Sequence, residues 1–174
     1  MRWLNGGMSQ ASEKELSRQI EWGGLQNRKA RALNKITAII IKKFGKLTLA
    51  PLHKMTAADC EQFLCSLPGV GRKVARCVMM YSLAMSVFPV DTHCWRISKR
   101  LGWIEAGDKQ RSCSLRDMDD LQEMIPPKLR LSLHVNMVSL GRELCLASLP
   151  KCFKCPIAEY CVKVGVPGDK ILHL

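Results

Sequence analysis

Four thiols close together near the C-terminal end of the chain are the clearest chemical signal. Cys145, Cys152, Cys155 and Cys161 lie in "CLASLPKCFKCPIAEYC", with six, two and five residues between successive cysteines. Thiols in so short a stretch can converge on one metal centre, because the Cys152–Cys155 pair makes a tight turn and the flanks fold back. Structural zinc usually draws on two close pairs. An iron–sulfur cube takes four thiolates around a larger body, which suits one close pair and two outlying ligands. Lys151, Lys154 and Glu159 interleave the set, so packing alone is a poor reason for it. Cys60, Cys65, Cys77, Cys94 and Cys113 share no ligand spacing and read as core or incidental thiols.

The second signal is "SLPGVGRKVARC", Ser66 to Cys77. The glycines of Pro68-Gly69-Val70-Gly71 permit backbone angles and a close approach that side chains forbid. A helix starting after Gly71 opens with unpaired N–H groups and a positive dipole end, where a phosphate can sit. It is not a Walker loop: the spacing to the lysine is wrong, and no Ser or Thr follows it. No strand precedes it, so it is not a dinucleotide fingerprint. Taken alone, the turn is an ordinary helix connection and Lys73 a solvated first-turn charge. Farther on, "FPVDTHCWR" puts Asp91 where a helix begins. That aspartate reads equally as an N-cap and as a catalytic carboxylate, and the roles are compatible because a capping carboxylate is held in a fixed orientation.

The elements that position these residues read as helices. "SEKELSRQIEWGGL" has Ser12 as N-cap and ends at Gly23-Gly24; "NRKARALNKITAIIIKKFG" spaces Ala30, Leu33, Ile36, Ile40 and Phe44 as one apolar face and stops at Gly45. "TAADCEQFLCSL" opens with Thr56 as N-cap and Asp59 three residues on, a variant of the capping box. "RKVARCVMMYSLAM" is apolar nearly all round and is expected to be central and buried. "DTHCWRISKRLGW" runs from the Asp91 cap to Gly102, Ile104 to Ser114 is loop-like, and "LRDMDDLQEMI" stops at Pro126-Pro127. "LRLSLHVNMV" alternates like a strand, but Leu133, Met137, Leu140 and Leu144 recur at helical spacing, and helix is the expectation. "GVPGDKILHL" reads as a loose tail.

The whole chain has 174 residues, 27 Lys+Arg against 15 Asp+Glu and a formal charge of +12. A core-forming chain this basic most often meets a polyanion, nucleic acid first, with a membrane surface or plain solubility as the alternative. No apolar run has the length of a membrane span, and "MRWLNGGMSQ" lacks the apolar centre of a signal peptide. Nine cysteines, an odd number without an export signal, argue against a disulfide framework. An intracellular protein is the expectation, in cytoplasm or nucleoid, or in a nucleus or organelle.

The hairpin Leu67 to Lys73, then "FPVDTHCWR", then the four cysteines, in this order, resemble the endonuclease III branch of the helix-hairpin-helix DNA glycosylases. The resemblance runs from about Ser12 to Cys161. It implies an all-α fold: part of a six-helix barrel carrying the hairpin over residues 1–86, then an iron–sulfur cluster domain over 87–174, with an active-site cleft between them. It implies that Leu67, Pro68, Gly69, Val70, Gly71 and Arg72 hold DNA phosphates, that Lys73 is the nucleophile, and that Asp91 is the second catalytic group. It makes Cys145, Cys152, Cys155 and Cys161 the ligands of a [4Fe-4S] cluster. The activity implied is a bifunctional glycosylase and abasic-site lyase on oxidised pyrimidines. The partner implied is double-stranded DNA with a damaged base or abasic site, met by a monomer with no membrane involved.

Such a lysine must attack the sugar C1′ as the neutral amine, which calls for a site that lowers its pKa. Two features depart from the family. Only "MRWLNGGMSQA" stands where the family has its first barrel helices and a loop that fills the hole left by a flipped base. A catalytically impaired DNA-binding remnant is therefore the alternative expectation. Leu140, not the usual histidine, precedes Gly141-Arg142, and His134 is expected to be a core or surface residue rather than a site. "FPVDT…RLGW" is also similar to the plant 5-methylcytosine glycosylases, which leaves base specificity open.

Overall fold

Local signals along the chain account for most helix starts and stops. The computed structural model describes residues 11–105, 110 and 112–166. Among these, the regular elements are helices and no strand occurs, as the all-α expectation requires. The chain divides into two compact units, one ending at Met79 and the other beginning at Met80. No helix among the described residues is long and apolar enough to cross a membrane.

In the first unit, α1 (Glu13–Gln19) begins at Ser12, whose hydroxyl accepts from the Glu15 N–H while the Glu15 carboxylate accepts from the Ser12 N–H. The helix ends at Gln19 and a 3₁₀ turn, Glu21–Gly23, follows, so it is shorter than the sequence pattern suggests. After the 3₁₀ turn, Gly24 and Leu25 both take positive φ, 63° and 52°, and the chain turns at the glycine pair as expected. α2 (Gln26–Phe44) packs on α1 and stops at Gly45 in the left-handed conformation, φ 74°. Its buried positions are Ala30, Thr37 and Ile40, and Thr37 satisfies its hydroxyl on the Asn34 carbonyl at 2.9 Å. α3 (Ala57–Cys65) is capped by Thr56 as read, and Phe63 meets Phe44 edge-on at 5.6 Å.

α4 (Arg72–Leu83) differs from its sequence reading. Ala75, Met79, Met80 and Leu83 are buried, but Val74 and Tyr81 are exposed, while the polar Arg76 is only 4% exposed. The buried arginine is tolerated because Glu61 of α3 meets it at 2.7 Å.

The second unit has one core, built from Phe88, Val90, Cys94, Ile97, Leu121 and Met137 among others. α5 (Thr92–Arg100) carries the Asp91 cap, α6 (Leu115–Met124) follows a capping box at Ser114, and α7 (Arg130–Glu143) packs on α5. The helix expectation for "LRLSLHVNMV" holds, and the alternation has a cause: His134 faces the core while Leu131 and Val135 stay exposed. His134 is a core residue, its Nδ1 2.9 Å from the Pro89 carbonyl. Close packing of α5 on α7 needs Gly141, since a Cβ there would lie 2.6 Å from His93 Nδ1. Of the expected tail, residues 167–174 lie outside the described residues, as do 106–109 and 111 of the expected loop.

Candidate functional site

The hairpin is a type II turn by its parts. Pro68 and Gly69 are the central residues, Gly69 has φ 78°, and the Val70 N–H donates to the Leu67 carbonyl at 3.1 Å. Leu67 is buried and anchors the turn from inside. A Cβ on Gly69 would lie 3.6 Å from the Ala32 side chain of α2, so this glycine is explained by its backbone angle and its neighbour. Gly71 is explained by neither: its φ is not positive, it is exposed, and a Cβ would meet nothing within 4 Å. Its carbonyl accepts from the Ala75 N–H at 2.9 Å, which starts α4 there. The N–H groups of that first turn have no acceptor inside the helix, and the position of a Gly71 side chain is open space.

Lys73 is exposed in this first turn. Arg72 is differently placed: its Nε lies 2.8 Å from Glu61 Oε1, while Arg76 Nε takes Oε2 at 2.7 Å. One carboxylate thus spans two arginines and ties α3 to α4 across the hairpin, a link that the sequence reading missed. Arg72 therefore brings an already paired side chain to the hairpin.

In the second unit, Asp91 Oδ1 accepts from the His93 N–H at 2.9 Å and the Cys94 N–H at 2.8 Å. Burial raises its pKa, but the Cys94 hydrogen bonds and nearby His93 and His134 outweigh that and hold the carboxyl below its ordinary value. Asp91 is an ionised cap at neutral pH, and Oδ2 takes no part in the capping.

All four candidate ligand cysteines, Cys145, Cys152, Cys155 and Cys161, line one small, apolar cavity together with Arg100 and Lys163. The Cys152–Cys155 turn forms as expected, with the Cys155 N–H donating to the Cys152 carbonyl at 3.1 Å. Burial pushes the Cys152 thiol pKa up, and Cys145, Cys155 and Cys161 push the same way against Lys163. Among the described residues, no group of three or more His, Cys, Asp or Glu converges to hold a single metal ion. Four cysteines lining one cavity match in number and type the thiolate donors of a cluster, a larger body than one ion. Arg96 and Arg100, one turn apart on α5, anchor the entry to this loop, and sequence reasoning missed both. Arg96 donates from Nε to the Cys145 carbonyl at 2.9 Å and from Nη2 to the Gly141 carbonyl at 2.9 Å. Cys60 and Cys94 are buried core thiols, and none of the five remaining cysteines is in a disulfide. A separate cavity of about 630 Å³, lined by Ile97, Met137, Leu140 and Tyr160 among others, includes none of the candidate site residues.

Against known proteins, the family model described as HhH-GPD superfamily base excision DNA repair protein matches residues 6–119. Endonuclease III of Rickettsia prowazekii (strain Madrid E) is 34% identical over 149 residues, covering 86% of this chain and 64% of that protein. Protein ROS1A of Oryza sativa subsp. japonica is 28% identical over 165 residues, 87% of this chain but 8% of its own length. The chain thus spans less than two thirds of both relatives. A solved structure of a trapped endonuclease III–DNA covalent intermediate aligns at 30% identity and TM-score 0.73, covering 91% of this chain and 68% of that one.

Proposed function

The chain belongs to the HhH-GPD superfamily of base excision DNA repair proteins, and from that premise we propose that it is a DNA glycosylase that also cleaves at abasic sites. The observation that carries this reading is the exposed Lys73 in the first turn of α4, directly behind a turn whose Gly71 faces open space. On this reading, phosphate oxygens approach the hairpin amides, and Lys73 as the neutral amine attacks the sugar C1′. The C1′–base bond breaks and the base leaves with a proton. Ring opening gives a Schiff base on Lys73, which acidifies the C2′ proton. Loss of that proton expels the 3′ phosphate by β-elimination, and water then releases the lysine. Asp91, ionised and oriented by its own cap, stabilises the cationic sugar as the base departs.

Oxidised pyrimidines in double-stranded DNA are the proposed substrates, met by a monomer inside the cell. A second reading, 5-methylcytosine, rests on the resemblance of "FPVDT…RLGW" to the plant 5-methylcytosine glycosylases. Turnover on matched duplexes carrying either base separates the two.

A [4Fe-4S] cluster is proposed here; Cys145, Cys152, Cys155 and Cys161 would hold it as thiolates, and it would then keep the loop in one shape. The loop would then present Lys151 and Lys154, both exposed, to phosphate.

The deciding experiment is incubation with an abasic-site duplex under borohydride. A trapped covalent adduct is expected. Duplex binding with no adduct would instead indicate a non-catalytic DNA-binding protein.

A further inference from the structure

We propose that Arg100 is the positioning residue of the four-cysteine loop, joining its two ends before any metal enters and placing a cationic N–H on one ligand sulfur. The proposal rests on the reading of these cysteines as a cluster site. Arg100 is the last residue of α5, yet its side chain is turned inward and only 8% exposed. Burying a guanidinium is costly unless its donors are met. Here Nη1 donates to the Leu146 carbonyl at 2.7 Å and to Cys145 Sγ at 3.1 Å, and Nη2 donates to the Ala147 carbonyl at 3.0 Å. The same residue serves the far end of the loop through its backbone. Its carbonyl accepts from the Val164 N–H at 3.2 Å and from the Cys161 thiol at 3.4 Å. The first and last cysteines of the set are therefore both held by one residue, 45 positions from the first and 61 from the last in the chain.

Two consequences follow. The loop's ends are tied by protein–protein bonds, so part of its shape does not depend on metal. A cationic donor on Cys145 Sγ favours the thiolate, and on a bound cluster it favours the more negative redox state. Lysine would keep the charge but lacks the planar fork that reaches a sulfur and two carbonyls at once. Arg96 supports the same entry but touches carbonyls, not sulfur, in that segment.

The test uses the full chain with Arg100→Gln and Arg100→Lys, purified without oxygen. Iron per chain, the midpoint potential of any bound cluster, and amide exchange of Lys151 after iron removal are read, because the Lys151 N–H donates to the Leu144 carbonyl at 2.8 Å across the turn that the Arg100 side chain holds. The iron-free parent should protect Lys151, and both variants should exchange on the order of tenfold faster, the loss of a charge-assisted hydrogen bond. Arg100→Gln should retain less iron, and Arg100→Lys should hold a cluster with a more negative potential. If Arg100→Gln does not fold, Arg100→Lys decides by its potential and its exchange. Parent potential and parent exchange in Arg100→Lys would overturn the proposal. A parent without iron would refute the cluster reading separately, and the exchange comparison would still judge the clamp.

Discussion

Asp91 caps α5 with the carboxylate that is also proposed to serve catalysis, and substitution can separate the two roles. Asparagine keeps the Oδ1 acceptor and is itself a good N-cap. Asp91→Asn should therefore change folding stability by less than about 1 kcal/mol in a urea titration. Single-turnover base removal should fall by roughly two to four powers of ten, since the charge is lost; an unchanged rate would leave Asp91 a cap alone. The carboxyl sits below its ordinary pKa in the folded protein. Its contribution to stability is thus complete above the unfolded value and lost as pH falls through the folded one. Thermal melts below about pH 4 should show this loss in the parent and less of it in Asp91→Asn. Lys73→Gln should abolish the borohydride adduct while binding to a non-cleavable abasic analogue stays within about tenfold, because one exposed charge adds little to the whole. Trapping at the parent rate would place the nucleophile elsewhere.

The two hairpin glycines make opposite predictions at the level of the element. Gly69 has φ 78° and a close neighbour in Ala32, so Gly69→Ala should cost about 1–2 kcal/mol of stability through left-handed strain. Gly71 has neither constraint. Gly71→Ala should stay within about 1 kcal/mol of the parent in stability, yet bind duplex DNA more weakly in fluorescence anisotropy, because a methyl group in that open space would crowd a phosphate at the hairpin. Equal DNA affinity in Gly71→Ala would remove the hairpin from the interface. The turn also depends on Glu61, which spans Arg72 and the buried Arg76. Glu61→Ala should lower the unfolding free energy by about 2 kcal/mol, the cost of taking a charged partner from a buried donor. Loss of that link should loosen α3 against α4 more than it disturbs α7.

For the whole molecule, a formal charge of +12 predicts steep salt dependence. Log affinity for duplex DNA should fall linearly with log salt, with a slope near minus a few, as bound cations leave the phosphates. A flat response would remove the nucleic-acid reading. Arg72 should contribute less to that slope than its position suggests, because Glu61 already pairs it. Metal analysis addresses the other end of the chain: about four irons per chain are expected in the parent, with broad absorption near about 400 nm, and one zinc without iron would overturn the cluster. Cys152→Ser should release the iron and weaken DNA binding more than the chemical step on bound substrate, because the loop carries exposed lysines but neither of the proposed catalytic residues.

What the sequence by itself determined was local. Ser12, Thr56 and Asp91 cap their helices within two or three residues, and Gly45 ends α2 by its own backbone freedom, so type and spacing suffice to read them. The hairpin, Lys73, Asp91 and the four cysteines were legible as motifs for the same reason. Tertiary structure alone decided which polar groups go inside. Arg76 in an apolar helix, Arg100 in a basic one, and His134 in an alternating one carry no local mark of their burial. Their partners stand 15 to 47 residues away in the chain: Glu61, the Leu146 and Ala147 carbonyls, and the Pro89 carbonyl. A buried charge or ring is stable only where such acceptors are already arranged around it, and that arrangement exists only once the helices have packed.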